Sequence, residues 1–149
     1  MLAFNRILVA VDGSPTSNKA LAAALDLAAA HRSKVRLVHL VDELQYMTGF
    51  EASEEVLAII QRNAGKILAE AAQAAKAAGI EAESRLVDEP GERLGDIVAR
   101  EAQAWPADVV VVGTHGRHGL GRVLLGSGAE QIVRLAPVPV LVIRSDEAG

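Results

Sequence analysis

Short β-branched runs alternate along this chain with longer segments whose apolar residues recur every three or four positions. The first run, RILVAV (Arg6–Val11), stops at Asp12-Gly13-Ser14-Pro15 and reads as a strand followed by a turn. Leu21, Leu25 and Ala28 then recur at helical spacing, predicting a helix from about Ser17 to Arg32. KVRLVHLV (Lys34–Val41) predicts a second strand, and Asp42–Glu51, without a period and with Gly49, a loop or flap. Val56, Ile59, Ile60, Ile67, Leu68, Ala71 and Ala75 share one face of the longest helix, and Gly79 is placed to close it. IEAESRLVD (Ile80–Asp88) alternates as a third strand, and Leu94, Ile97 and Val98 mark a third helix ending near Trp105-Pro106. DVVVV (Asp108–Val112), a short helix over Ser127–Leu135 and VPVLVIR (Val138–Arg144) complete the pattern.

Strands alternating with helices imply an α/β fold, a parallel sheet covered on both faces. The wholly apolar Val109–Val112 agrees with burial on both sides. Right-handed crossovers then favour a Rossmann-like, doubly wound five-stranded sheet of order 3-2-1-4-5. In that order the winding reverses between strands one and four, and ligands bind outside the carboxyl ends of the strands at such a switch point. Asp12-Gly13-Ser14 closes strand one, and the stretch beginning at Gly113 closes strand four. Two segments about 100 residues apart in sequence are therefore predicted to face one crevice.

The second segment is VVVVGTHGRHGLGRVLLGSGAE (Val109–Glu130). It holds glycines at 113, 116, 119, 121, 126 and 128, with His115, Arg117, His118 and Arg122, and no acid before Glu130. Glycine lets backbone N–H groups approach an anion without a Cβ in the way. The helix opened by Ser127 presents unpartnered N–H groups and a favourable dipole. A phosphorylated ligand fits these features. Plainer readings stand beside it. The glycines also suit a flexible loop, Ser127 with Glu130 forms an S-x-x-E capping box, and Asp12 suits a turn before Gly13. Other motifs are incomplete. GRVLLGSG has Ser127 where a P-loop needs lysine, no G-x-G-x-x-G follows the first strand, and Leu125 breaks a nucleophile elbow. His115 and His118 lack an obvious third metal ligand, and no base for an attacking water stands out. His39 reads as a packed, hydrogen-bonded histidine.

Composition narrows the classes. With 149 residues the chain is expected to form a single domain over 1–149, and a net charge of −4 argues against a nucleic-acid coat. The absence of cysteine excludes disulfides and thiolate sites. No apolar run approaches the ~18 residues of a membrane helix. MLAFNRILVAVDGS has no leader-like charge or cleavage pattern, so a cytoplasmic location is expected.

From ILVAVDGS to PVPVLVIR the sequence resembles the universal stress protein family, in particular its ATP-binding branch with the pattern G-x2-G-x9-G-[ST]. Here two residues separate Gly113 from Gly116, nine separate Gly116 from Gly126, and Ser127 follows. The resemblance implies that Asp12 holds the ribose hydroxyls, that Ala10 and Val11 lie beside the adenosine, and that the Val41 backbone contacts adenine. It further implies a phosphate-facing loop of Gly113, Gly116, Gly126, Ser127 and Gly128, with Thr114 and Arg117 inside it. ATP with Mg2+ is the implied ligand, and the implied role is a nucleotide-dependent sensor or switch in stress response. A slow ATP hydrolase or other nucleotide-dependent enzyme is the alternative. The turn before the third helix departs from the family's usual G-x-P, reading DEPGERL (Asp88–Leu94).

The fifth strand lies at a sheet edge in the expected order. Val140–Ile143 is apolar and carries no charge before Arg144, so its unpaired backbone groups invite another strand. A homodimer through Val138–Arg144 is expected, as the resemblance also implies. A monomer whose edge is covered by its own tail, SDEAG, is the plainer alternative.

Overall fold

The computed structural model describes residues 3–41, 54–89, 91–114 and 125–144. The chain runs β1 (Arg6–Ala10), α1 (Pro15–His31), β2 (Lys34–Leu40), α2 (Glu54–Ala77), β3 (Ala82–Val87), α3 (Leu94–Ala104), β4 (Val109–Gly113), α4 (Ser127–Leu135) and β5 (Val140–Ile143). The five strands form one parallel sheet of order β3-β2-β1-β4-β5. The expected order is therefore the observed one. The expected loop over Asp42–Glu51 lies outside the described residues.

Strand alternation divides the core into two layers. Ile7, Val9, Val35, Leu37, Val109 and Val111 pack under α1 and α2. Leu8, Ala10, Val38, Val110 and Val112 pack under α3 and α4. Each face of β1 and β4 is thus covered, which is why Val109–Val112 is apolar throughout rather than alternating with polar residues.

Local chemistry sets the element ends. Pro15 opens α1 because the first helical position needs no N–H donor, and the Ser14 hydroxyl caps the Ser17 amide at 3.1 Å. The helix accordingly begins two residues before the predicted Ser17. Gly79, at φ +74°, ends α2 as expected. Its N–H reaches the Lys76 carbonyl at 3.0 Å while Ile80 N–H reaches Ala75 at 2.9 Å, the two bonds of a Schellman motif. β5 starts at Val140, later than Val138, because Pro137 and Pro139 bring no N–H to the ladder. At the amino ends of the strands, Trp105 is buried beneath the guanidinium groups of Arg6 and Arg36, 5.7 and 5.1 Å from its ring centroid. Glu101 joins Arg36 to Arg85 across the same end.

Two helices approach closely through glycine. A Cβ on Gly95 of α3 would lie 2.5 Å from the Gln131 Cβ of α4, and one on Gly128 would lie 2.9 Å from Leu94 Cδ2. The Gln131 side chain adds a bond from Gly95 N–H at 3.1 Å. These contacts fix α4 on α3, and so fix where the α4 amino end sits relative to the sheet.

Candidate functional site

The chain leaves β1 through a tight, side-chain-braced turn. Asp12 is half-buried; its Oδ1 accepts from Ser14 N–H at 2.8 Å, and its own N–H donates to Ser17 Oγ at 3.0 Å. Gly13 follows at φ +81°, a conformation that disfavours a side chain, with a Cβ position 3.2 Å from Ile67 of α2. Asp12 is the turn residue of the plainer reading. The turn also fixes where its carboxylate stands, and among the described residues only Oδ1 has a partner.

The neighbouring strand ends in a second mouth. The β1–β4 register pairs Ile7 with Val109 and Val9 with Val111, so continuing it brings Val11 to Gly113 and Asp12 to Thr114. Thr114 N–H donates to Ile143 at 2.9 Å, prolonging the β4–β5 ladder. Its carbonyl accepts from Gly126 N–H, which joins the two ends of the glycine-rich stretch. The Thr114 side chain is only 2% exposed, and Oγ1 has no hydrogen-bond partner among the described residues. It follows Val110 and Val112 in the series that faces α3 and α4.

Gly126 caps α4 at φ −67°, ψ 161°, and Ser127 is the first residue inside the helix. The expected S-x-x-E capping box is therefore corrected: no side chain caps this end, and Ser127 stands one position too late to do so. Ser127 is exposed, while Gly126 and Gly128 are half-buried. Gly113 lacks a side chain for a reason the sequence did not disclose. A Cβ there would come within 2.7 Å of Thr16 Cγ2 and 3.0 Å of the Thr16 carbonyl oxygen. Gly113 thus answers to helix packing, whatever else it contacts, while at Gly128 only the movable tip of Leu94 stands near.

A third wall comes from β2. Val41 is buried against Ile60 and Ala64 of α2, and its N–H donates to the Val87 carbonyl at 2.9 Å. His39 is buried, with Nδ1 2.7 Å from the Val11 carbonyl oxygen, as a packed, hydrogen-bonded histidine should be. Ala10 and Val11 are buried at the end of β1. The structure therefore gathers Ala10, Val11, Asp12, Gly113, Thr114 and Gly126 at the carboxyl ends of β1 and β4, with Ser127 and Gly128 on the adjoining turn of α4. Gly116 and Arg117 lie outside the described residues, as do His115, His118 and Arg122. Sequence reasoning missed Ser14 and Ser17 as braces of Asp12. Ser14-Pro15 carried a capping signal, but the bond from Asp12 N–H to Ser17 carried none.

A shallow depression of about 420 Å3 lies elsewhere, between α3 and the α4–β5 connection, lined by Glu92, Asp96, Arg100, Gln103 and their neighbours. Its one cationic lining residue is paired: Arg100 bonds Glu89 at 2.9 Å and Glu92 at 3.4 Å. The bond to Glu89, reinforced by Glu92 and Asp96, holds the guanidinium above its usual value. Among the described residues no group of three His, Asp or Glu side chains gathers as metal ligands, and no helix is long and apolar enough to cross a membrane.

Comparison with known proteins agrees with this architecture. The Universal stress protein YxiE of Bacillus subtilis is 31% identical over 150 residues, covering 95% of this chain and 99% of its own length. A universal stress protein of Thermus aquaticus is 33% identical over 141 residues, covering 95% and 99%. Among solved structures, the protein MJ0577 superimposes with a TM-score of 0.82 at 23% identity, covering 97% of this chain and 99% of its own, a likeness of fold. A family member from Burkholderia pseudomallei gives a TM-score of 0.76 at 29% identity, covering 96% and 98%. A universal stress protein solved in complex with cAMP gives 0.71 at 28% identity, covering 97% and 99%. The family model for universal stress proteins matches residues 3–144, and this chain belongs to the Universal stress protein family.

Proposed function

We propose that the chain binds an adenine nucleotide, ATP with Mg2+, at the carboxyl ends of β1 and β4 and acts as a nucleotide-dependent switch in the cytoplasm. The observation that carries this reading is the Thr114 hydroxyl, buried without a hydrogen-bond partner among the described residues, beside the amino end of α4, which no side chain caps. A buried polar group left unpaired costs about 1–3 kcal/mol, so such a group at a ligand crevice calls for an occupant. Phosphate oxygens would accept from it and from the first N–H groups of α4. The Asp12 carboxylate, already oriented by Ser14, would accept from ribose hydroxyls. Val41 has given its N–H to Val87, and its carbonyl suits the amino edge of adenine. Mg2+ would arrive on the phosphates, since it is commonly held by these and one or two carboxylates. The family member with cAMP supports the adenine class. Calorimetry should give micromolar affinity for Mg-ATP, about −8 kcal/mol. No heat and no thermal shift at millimolar Mg-ATP would reject the reading, and nucleotide released on denaturing fresh protein would identify the ligand. Turnover is expected well below about 10 per second, the median for enzymes. A rate at that level would favour the hydrolase.

The same reading includes a homodimer through β5. Leu141 on β5 is 40% exposed, and Val133 and Leu135 of α4 are 47% and 43% exposed. The opposite edge strand, β3, presents Glu83, Ser84 and Arg85 to solvent instead. Charges of this kind protect an edge from pairing, and β5 lacks them before Arg144. Antiparallel pairing of two β5 strands about a two-fold axis would satisfy both edges. Light scattering tests it: a monodisperse monomer at tens of micromolar would exclude the dimer.

A further inference from the structure

We propose that His39 is a positioning residue for the Asp12 carboxylate, holding the Val11–Asp12 peptide so that the carboxylate meets the nucleotide in one orientation. This rests on the nucleotide reading above for its purpose, but its geometry stands alone. The Val11 carbonyl and the Asp12 N–H belong to one peptide unit. His39 Nδ1, from β2, contacts that carbonyl at 2.7 Å, and Ser17 Oγ, from α1, accepts from that N–H at 3.0 Å. The unit is gripped at both ends by side chains of two different elements. Because a peptide is planar, gripping both ends fixes the rotation on either side of it, and hence the direction in which the Asp12 Cβ leaves the backbone. The bond from Ser14 N–H to Oδ1 then sets the carboxylate itself.

A carbonyl oxygen only accepts, so at this distance Nδ1 must carry the proton. That is the less populated tautomer of free histidine, and the bond imposes it. His39 is 7% exposed and lies in the Val35, Leu37 series under α1 and α2, so solvent is poorly placed to replace the imidazole. Replacing it by leucine would leave the Val11 carbonyl buried and the peptide free to turn. Asparagine would return an amide donor to roughly the Nδ1 place.

Three readouts test the proposal on the full chain. In ligand-free wild type, 15N NMR should show His39 Nδ1 as a protonated, pyrrole-type nitrogen; a pyridine-type Nδ1 would overturn it without any variant. In His39→Leu, hydrogen exchange at the Asp12 and Ser14 amides should speed up about tenfold, while Val9 and Val110 exchange as before. His39→Asn should restore most of the protection. Equal exchange in wild type and His39→Leu, or a rise spread evenly over the core amides, would show a merely structural histidine. Calorimetry with Mg-ATP should find affinity about tenfold weaker in His39→Leu and within about threefold of wild type in His39→Asn. Unchanged affinity in His39→Leu would overturn the positioning role. If wild type binds no adenine nucleotide, the nucleotide reading fails, and the tautomer and exchange results alone decide what His39 does.

Discussion

Gly113→Ala separates packing from ligand binding in the glycine pattern. The added Cβ would stand 2.7 Å from Thr16 Cγ2, 3.0 Å from the Thr16 carbonyl oxygen and 3.1 Å from its carbonyl carbon. The side-chain methyl is the worst of these contacts. The other two involve backbone in the first turn of α1, which Pro15 and the Ser14 cap hold in place. Overpacking of this kind costs about 1–3 kcal/mol. For a chain of this length each kcal/mol lowers Tm by roughly 3 °C, so a fall of about 3–9 °C is expected. Circular dichroism melts without nucleotide read this directly. Thr16→Ser removes Cγ2 and should recover more than half of the loss in the double variant, leaving the backbone contacts as the remainder. A Gly113→Ala melt within 1 °C of wild type, on the same ~3 °C scale, would refute the packing reason. Lack of any rescue by Thr16→Ser would show that the backbone, not the methyl, sets the cost.

Other variants examine different parts of the site. Ser127→Ala should cost less than about 0.5 kcal/mol in urea unfolding, since no cap bond is lost at an exposed position, while Mg-ATP affinity falls; a loss near 1 kcal/mol would restore the capping role. Asp12→Ala should weaken Mg-ATP by roughly tenfold or more, the value of hydrogen bonds to a charged group, with circular dichroism unchanged; wild-type affinity would remove Asp12 from the site. Leu141→Lys should convert a dimer to monomers in light scattering without lowering helix content, and a persisting dimer would place the interface elsewhere.

Most of the fold was legible because it rests on period and punctuation. Four apolar strands and one alternating strand, three helical stripes, Gly79 and the order 3-2-1-4-5 follow from rules that act within a few residues or on the handedness of crossovers. Helix starts were harder. Pro15 and Ser14 both carried signals, yet the apolar stripe of α1 begins later and drew the expected boundary to Ser17. The capping of α4 was misjudged for a related reason: S-x-x-E is a local pattern, but which residue becomes the cap is decided where the chain turns. Gly126 turns there, its N–H bound to the Thr114 carbonyl from a distant part of the sequence. The bonds from Ser17 to Asp12 N–H and from His39 to the Val11 carbonyl were equally hidden, because each depends on how two elements dock.

The glycines carry the same lesson into function. A run of glycines before a helix suits a phosphate loop, because absent side chains admit a ligand. At Gly113 the missing side chain admits Thr16, and at Gly128 it admits Leu94. A packing requirement alone therefore explains Gly113, where backbone blocks a side chain, but not Gly128, where only the movable tip of Leu94 stands near. What packing does not explain is a polar group without a partner. Among the described residues Thr114 Oγ1 is such a group, and at the switch point it lies opposite a carboxylate that three neighbouring bonds hold still. Orientation of that kind has a conformational cost and no return in the apolar core. Asp12 and Thr114 accordingly point to a ligand more strongly than the glycines do.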